Sequence, residues 1–199
     1  MDKQEIKAFF DEQASHWDAD LIKNDEIINT ILDNAGVERG ANEGKSILDV
    51  ACGTGVMMEF YKERGYQDVT GIDISDKMIE KAKEKFPEVT FICGDVEQVN
   101  FERKFDHIVV YNAFPHFPSG VDLIERLSEL LNEGGTLTVA HGMSKKQIDN
   151  HHKGVAARVS TGLISAGVLA KIFKYFKLDV TSEISNDFMY QVAGRKTNA

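Results

Sequence analysis

Two hydrophobic periods alternate along this chain. Short apolar runs at Ser46 to Val50, Asp68 to Asp73, Val89 to Cys93, Phe105 to Tyr111, Thr136 to Ala140, Leu178 to Glu183 and Phe188 to Ala193 have the length and residue types of strands. Between most of them apolar residues recur at helical spacing. Examples are Met78, Ile79, Ala82 and Phe86, and Leu123, Ile124, Leu127, Leu130 and Leu131, so each helix can lay one apolar stripe on a sheet. Strands alternating with helices predict a largely parallel sheet with helices on both faces, an α/β fold. The last two strands are separated only by Ile184 to Asp187, too short for a crossover helix, so that pair is expected to form an antiparallel hairpin. Upstream, Ile6, Phe9, Phe10 and Trp17, then Ile27, Ile28, Ile31 and Leu32, fit two amphipathic helices, and a linker, Gly36 to Lys45, leads into the first strand. We expect one domain over residues 1–199, with a helical cap or lid over 1–35 and an α/β core over 46–196.

Composition narrows the classes. The 199 residues are 42% hydrophobic and 28% charged, ordinary for one globular domain, and no apolar stretch approaches the ~20 residues of a membrane span. No membrane insertion is expected. The opening MDKQEIKAFFDEQASHWD lacks the basic flank and apolar run of a signal peptide, so a cytoplasmic location is expected. The formal net charge of −9 argues against nucleic acid, whose binding draws on a basic face. Cys52 and Cys93 belong to no CxxC pair, which removes the usual cysteine signal for zinc or redox chemistry. The subunit count is not legible.

The chemistry concentrates in ILDVACGTG, Ile47 to Gly55, where a buried-looking strand ends in Asp49 and small residues follow. Ligands of a parallel α/β sheet bind at the carboxyl ends of its strands, and Gly53 and Gly55 allow backbone to approach a ligand closely. A dinucleotide cradle requires GxGxxG, whereas Ala51, Gly53, Gly55 and Met58 give A-x-G-x-G-x-x-M, which disfavours a nicotinamide enzyme. Asp49 would repel a pyrophosphate and suits a ligand bearing an ammonium or sulfonium. Asp73 closes the second strand in GIDIS, placed to accept both hydroxyls of a ribose, and Asp95 ends the third in ICGDV, in reach of an adenine amino group.

On these residues the sequence resembles the class I S-adenosylmethionine-dependent methyltransferases. ILDVACGTG looks like the family's first motif, GIDIS the second, CGDV the third, YNAFPHF the strand-four motif and LLNEGGTLTV the turn into strand five. The resemblance implies a Rossmann-like sheet of seven strands with a reversed last strand. It also implies S-adenosylmethionine as cofactor and S-adenosylhomocysteine as product. Asp49 and the backbone of Ala51, Cys52, Gly53, Thr54 and Gly55 would hold the methionine moiety, Asp73 the ribose, with Ile74 and Met78 beside it, and Asp95 with Val96 the adenine. Two departures stand out: Ala51 replaces the usual first glycine, and Asn132-Glu133 stands where a proline often precedes the Gly-Gly turn. FFDEQASHWD is similar to the lid helix of small-molecule members, which makes Trp17 a candidate pocket residue.

In such a fold the tips of strands four and five, YNAFPHFP and AHGMSKKQIDNHH, face the reacting methyl group. Asn112, His116, His141, His151 and His152 are therefore expected near one pocket with Phe114 and Phe117 as apolar walls, and His116, His141 or His151 as a general base. Adjacent His151 and His152 lie ~100° apart on a helix and cannot both face inward. His116, His141 and His151 could instead hold a metal ion, although no HxH or HxxxH spacing supports one. NAFPHF lacks the Asn/Asp-Pro-Pro-aromatic run of enzymes that methylate nucleic-acid amines, so a small-molecule acceptor is expected. A non-catalytic cofactor-binding protein of the same fold is the alternative.

Overall fold

The computed structural model describes residues 1–20, 23–151, 153 and 155–197, with residues 20, 151, 155 and 156 described by backbone alone. Seven strands form one sheet: β1 (Ser46–Val50), β2 (Asp68–Asp73), β3 (Thr90–Cys93), β4 (Phe105–Tyr111), β5 (Leu131–His141), β6 (Leu178–Ser185) and β7 (Tyr190–Lys196). Their order is β3-β2-β1-β4-β5-β7-β6. The first five run parallel, while β7 is antiparallel to both β5 and β6. The connection order reverses beside β1, so the carboxyl ends of β1, β2 and β4 open a crevice there.

Alternation along the strands sends side chains to two cores, because successive residues of a strand point to opposite faces. Leu48, Val50, Ile108, Val110, Leu137 and Val139 pack with α6 (Gly120–Glu129) and α8 (Ala166–Tyr175) on one face. Ile47, Val109, Tyr111 and Ala140 pack on the other with α3 (Asp25–Asn34), α4 (Met58–Glu63) and α5 (Asp76–Lys85). The helices after β2 and β4 and before β6 start at serine caps: Ser75, Ser119 and Ser165 accept from the backbone N–H groups of Met78, Asp122 and Val168, supplying an acceptor the first helical turn lacks.

Two departures from the periodic reading exceed a residue or two and have visible causes. β5 begins at Leu131, not Thr136, because Leu131 pairs with Phe105 ahead of a register shift in the ladder. The hairpin turn is displaced towards the C-terminus: Asn186 Oδ1 accepts from the backbone N–H groups of Phe188 and Met189, each at 2.9 Å, leaving Phe188 71% exposed in the turn. Asn is suited to such turns, since its side chain can replace a backbone acceptor.

The N-terminal helices also diverge. Ile28, Ile31 and Leu32 of α3 are fully buried in the second core. α1 (Lys3–Gln13) and the short α2 (Trp17–Asp20) lie instead over the carboxyl ends of the strands, where Ile6, Phe9 and Val159 form a small separate cluster. The break between them puts Trp17 on α2, not on the stripe of Ile6, Phe9 and Phe10. No helix of the described residues is long and apolar enough to cross a membrane.

Candidate active site

A cavity of about 120 Å³ opens at the carboxyl ends of β1, β2, β3 and β4 and is roofed by α1 and α2. At the tips of β1 and β4 the backbone takes the same unusual form: Ala51 and Asn112 both sit at φ 55°, in the left-handed region. For a residue with a Cβ this conformation costs roughly 1–2 kcal/mol, less for Asn. Ala51 thus occupies a position where glycine would be free of strain. The two tips turn the chain away from the sheet and open the crevice between β1 and β4. Asn112 Oδ1 accepts from the Gly142 N–H at 3.0 Å and ties the β4 tip to the segment leaving β5.

Asp73 lies under the glycine turn. Its Oδ2 accepts from the Gly53 N–H at 2.8 Å and its Oδ1 from the Ser75 N–H at 2.9 Å. A carboxylate oxygen has two acceptor sites, so each retains one for a hydroxyl in the cavity. Burial pushes the Asp73 carboxyl up to about 6, against the pull of the Ser75, Gly53 and Ile74 N–H groups. Gly53 lines the cavity at φ 54°, and an added Cβ would stand 3.7 Å from Trp17 Nε1.

Asp49 projects from β1 to the α4 side and is 1% exposed. Its Oδ2 makes no hydrogen bond in the described structure; Tyr61 interacts with the carboxyl without meeting bonding geometry. Burial, then the charge of Asp73, push its carboxyl well above the ordinary range. This carboxylate lies behind the wall, because strand alternation directs it away from the cavity. Two other residues of the motif also stand behind it. Gly55 leaves room for Phe86, whose ring would be 3.0 Å from an added Cβ, and Thr54 donates to Asp18 Oδ1 of α2 at 2.6 Å.

The structure brings Ala51, Cys52, Gly53, Asp73, Ile74, Met78, Asp95, Val96 and Asn112 to the cavity wall, together with Trp17, Phe117 and His116. Phe114 does not reach it. It opens the 3₁₀ turn Phe114–His116, and with three residues per turn its ring points into the core while His116 points to the cavity. His141 is 2% exposed and meets the Tyr190 ring edge-on at 6.0 Å, because the last position of β5 is covered by β7. It is not on the wall. His151 ends α7 (Lys145–His151), with its backbone alone described, and His152 lies outside the described residues. No group of three or more His, Cys, Asp or Glu that could hold a metal comes together among the described residues, and His141 is enclosed away from His116.

His116 Nδ1 stands 2.7 Å from the Val159 carbonyl oxygen. A carbonyl can only accept, so Nδ1 carries the proton, and in the neutral ring Nε2 holds the lone pair. The Phe10 ring meets the imidazole edge-to-face at 5.0 Å and meets Trp17 at 5.7 Å, an aromatic run from His116 to the glycine turn.

Wall residues that the motifs did not single out include Lys3, Ile6, Phe10 and Tyr111. Lys3 binds Asp95 Oδ2 at 2.6 Å and also Glu97, across more than ninety residues of sequence, and nothing near Lys3 signals this pairing. The Tyr111 phenol, the last position of β4, is held up to about 12 by burial and stays a neutral donor.

Residues 47–135 match the family described as methyltransferase domain. The chain is 33% identical over 144 residues to a malonyl-[acyl-carrier protein] O-methyltransferase of Priestia megaterium, covering 69% of this chain and 51% of that protein. It is 29% identical over 143 residues to a ubiquinone biosynthesis O-methyltransferase of Coxiella burnetii, covering 69% of this chain and 61% of that protein. The chain thus spans about half to three fifths of the length of these relatives. Among solved structures, magnesium protoporphyrin IX methyltransferase from Synechocystis PCC 6803 with bound S-adenosylhomocysteine shares the fold at TM-score 0.72 and 16% identity, over 98% of this chain and 100% of that one. A methyltransferase from Aquifex aeolicus shares it at TM-score 0.66 and 18% identity, over 98% of both chains. Residues 47–135 are thus a methyltransferase domain by match, and the whole chain shares the fold of S-adenosylmethionine-dependent methyltransferases.

The wall fits the cofactor of that family. Asp73 keeps acceptor capacity for a ribose diol, and Gly53 offers bare backbone beside it.

Proposed function

We propose that this protein transfers a methyl group from S-adenosylmethionine to a small-molecule acceptor, with His116 as the base that takes the acceptor's proton. The reading is carried by one observation: a single cavity joins the Gly53–Asp73 cradle to His116, whose Nδ1 proton is committed to Val159.

When bound, the cofactor supplies an electrophilic methyl group on a cationic sulfur. Asp73 accepts the two ribose hydroxyls, Asp95 and Val96 border the adenine, and the backbone from Ala51 to Gly53 follows the methionine moiety. His116 presents its Nε2 lone pair to an acceptor hydroxyl. Phe10, Trp17 and Phe117 exclude water from the space between, so that alignment and a dry site supply most of the acceleration. α1 and α2 serve as the lid: Lys3 reaches Asp95, Lys7 reaches Asp76 at 2.5 Å, and Ser75 donates to Asp11 at 2.6 Å.

Calorimetry with S-adenosylhomocysteine tests the cradle, and product formation with a panel of small acceptors tests the transfer. The expected result is binding by the wild type and a His116→Ala variant that keeps cofactor affinity while losing about 10²-fold or more in turnover. No binding by the wild type would refute the cofactor site, and undiminished turnover in His116→Ala would remove the base.

A further inference from the structure

The wall that carries His116 is poorly equipped to receive an anion. Among the described residues Lys3 is the one lysine or arginine that lines the cavity, and its ammonium is held by both Asp95 and Glu97. Asp73 stands in the same wall and Asp49 is buried behind it. Apart from the sulfonium of the cofactor itself, a carboxylate brought into this space would shed its hydration to meet Asp73 and no uncommitted cationic side chain, which disfavours it against an uncharged group.

Rings are what the wall offers instead. Trp17 lies against Gly53, Phe10 meets both Trp17 and His116 edge-to-face, and Phe117 follows His116 directly in the chain. Edge-to-face arrays of this kind leave faces and edges for one more flat ring. Tyr111 adds a phenolic donor to the same wall.

Resting on the reading above, the geometry points to an uncharged aromatic hydroxyl compound as the methyl acceptor, in preference to any acceptor that carries a free carboxylate. The ring stacks among Phe10, Trp17 and Phe117 with its hydroxyl towards His116. The acceptor oxygen forms the new O–CH₃ bond with a lone pair as the S–CH₃ bond breaks, and the electrons of that bond stay on sulfur, which becomes a neutral thioether. The hydroxyl proton passes to His116 Nε2 and from there to solvent.

Three acceptors of nearly one shape separate charge from size: catechol, protocatechuate and the uncharged primary amide of protocatechuate. Each is incubated with the full-length protein and S-adenosylmethionine, and the S-adenosylhomocysteine formed is measured. Cofactor binding is followed in parallel through Trp17, the chain's single tryptophan, whose position on the wall makes its emission report occupancy.

The expected result is a change in Trp17 emission on adding S-adenosylhomocysteine and methylation of catechol and the amide. The kcat/KM for protocatechuate should lie about tenfold or more below that for the amide, since ~1.4 kcal/mol is tenfold. In His116→Gln the turnover of catechol should fall at neutral pH and recover towards the phenol's own pKa, near ~10, where no base is needed. Cofactor binding with protocatechuate used as well as the amide, or with no phenol methylated, overturns the inference and leaves the cofactor reading intact. Absence of cofactor binding overturns both.

Discussion

The two ends of this sheet use polar residues in opposite ways. At the amino ends of the strands, buried polar groups bond largely to one another, Arg64 Nε being an exception. Arg64 is fully buried and donates to Asp33 at 2.7 Å, to the Val37 carbonyl at 2.6 Å and to the Asn29 carbonyl at 3.0 Å, fastening α3 to the end of α4. His107 lies between the Tyr66 hydroxyl at 3.2 Å and Thr136 Oγ1 at 2.8 Å. Asp106 accepts from Ser46 and Asn132, and although partial burial pushes upward, those bonds hold its carboxyl below the ordinary range.

At the carboxyl ends the pattern is inverted. Ala51 and Asn112 hold left-handed backbone, Asp73 is forced towards neutrality and Asp49 keeps an oxygen without a hydrogen bond. Strain and unmet electrostatic demand of this kind persist where a ligand relieves them, while the opposite end supplies the stability that tolerates them. Breaking the amino end should therefore unfold the protein, whereas breaking the carboxyl end should leave it folded and weaken binding.

The largest effect is expected at Arg64. Arg64→Ala removes donors to two carbonyls and leaves a void, so denaturant unfolding should show a loss of about 4 kcal/mol. An unchanged midpoint would mean that α3 is held by its apolar face alone.

His107 should make the same end acid-sensitive. Burial, then the charge of Lys45, push its pKa down from 6.5 to about 4. The unfolded chain takes up the proton first, so this contribution is complete above pH ~6.5 and is lost as pH falls towards 4, amounting to about 3 kcal/mol at ~1.4 kcal/mol per pH unit. Stability measured across that window should decline more steeply for the wild type than for His107→Gln. Parallel curves would show that the imidazole titrates normally.

At the other end, Asp73→Ala should reduce S-adenosylhomocysteine affinity by about tenfold or more, roughly one to two charge-assisted hydrogen bonds, while unfolding free energy shifts by about 1 kcal/mol or less. The pH dependence has the opposite sign to that of His107. The Asp73 pKa is raised from 3.8 to about 6, so ionising it opposes folding of the free protein as pH rises through that range. Ribose hydroxyls need the carboxylate as acceptor, so affinity measured by calorimetry should rise through pH ~6 and then level off. Flat affinity across that interval would detach Asp73 from the ligand.

Ala51→Gly should give the smallest change, a gain of up to about 1 kcal/mol in thermal unfolding as the left-handed strain is relieved, offset in part by the added freedom of the unfolded chain. A loss of stability would mean that the Ala51 methyl group contributes more by packing than its backbone costs.

The strand pattern, the final hairpin and the linker were readable because period and turn chemistry are local. So were Gly53 and Asp73, adjacent to the ends of strands whose length set their position. Gly55 and His141 were not, since Phe86 and Tyr190, which occupy the space beside them, come from distant chain, and Phe114 was not because a 3₁₀ turn leaves no strand or helix period to read. Among the histidines expected together, one backbone carbonyl distinguishes His116: Val159, forty-three residues away, holds its Nδ1.

Periodicity and the glycine turn were sufficient for an α/β sheet, its mixed edge and a crevice lined by Gly53 and Asp73, because each depends on residues within a few positions of one another. Folding was needed to turn α3 inward and α1 over the crevice, to hide Asp49 behind the wall and to bring His116 to the cavity while His141 is enclosed. Those outcomes depend on which surfaces meet, and a one-residue change of face along a strand or a 3₁₀ turn redirects a side chain from ligand to core.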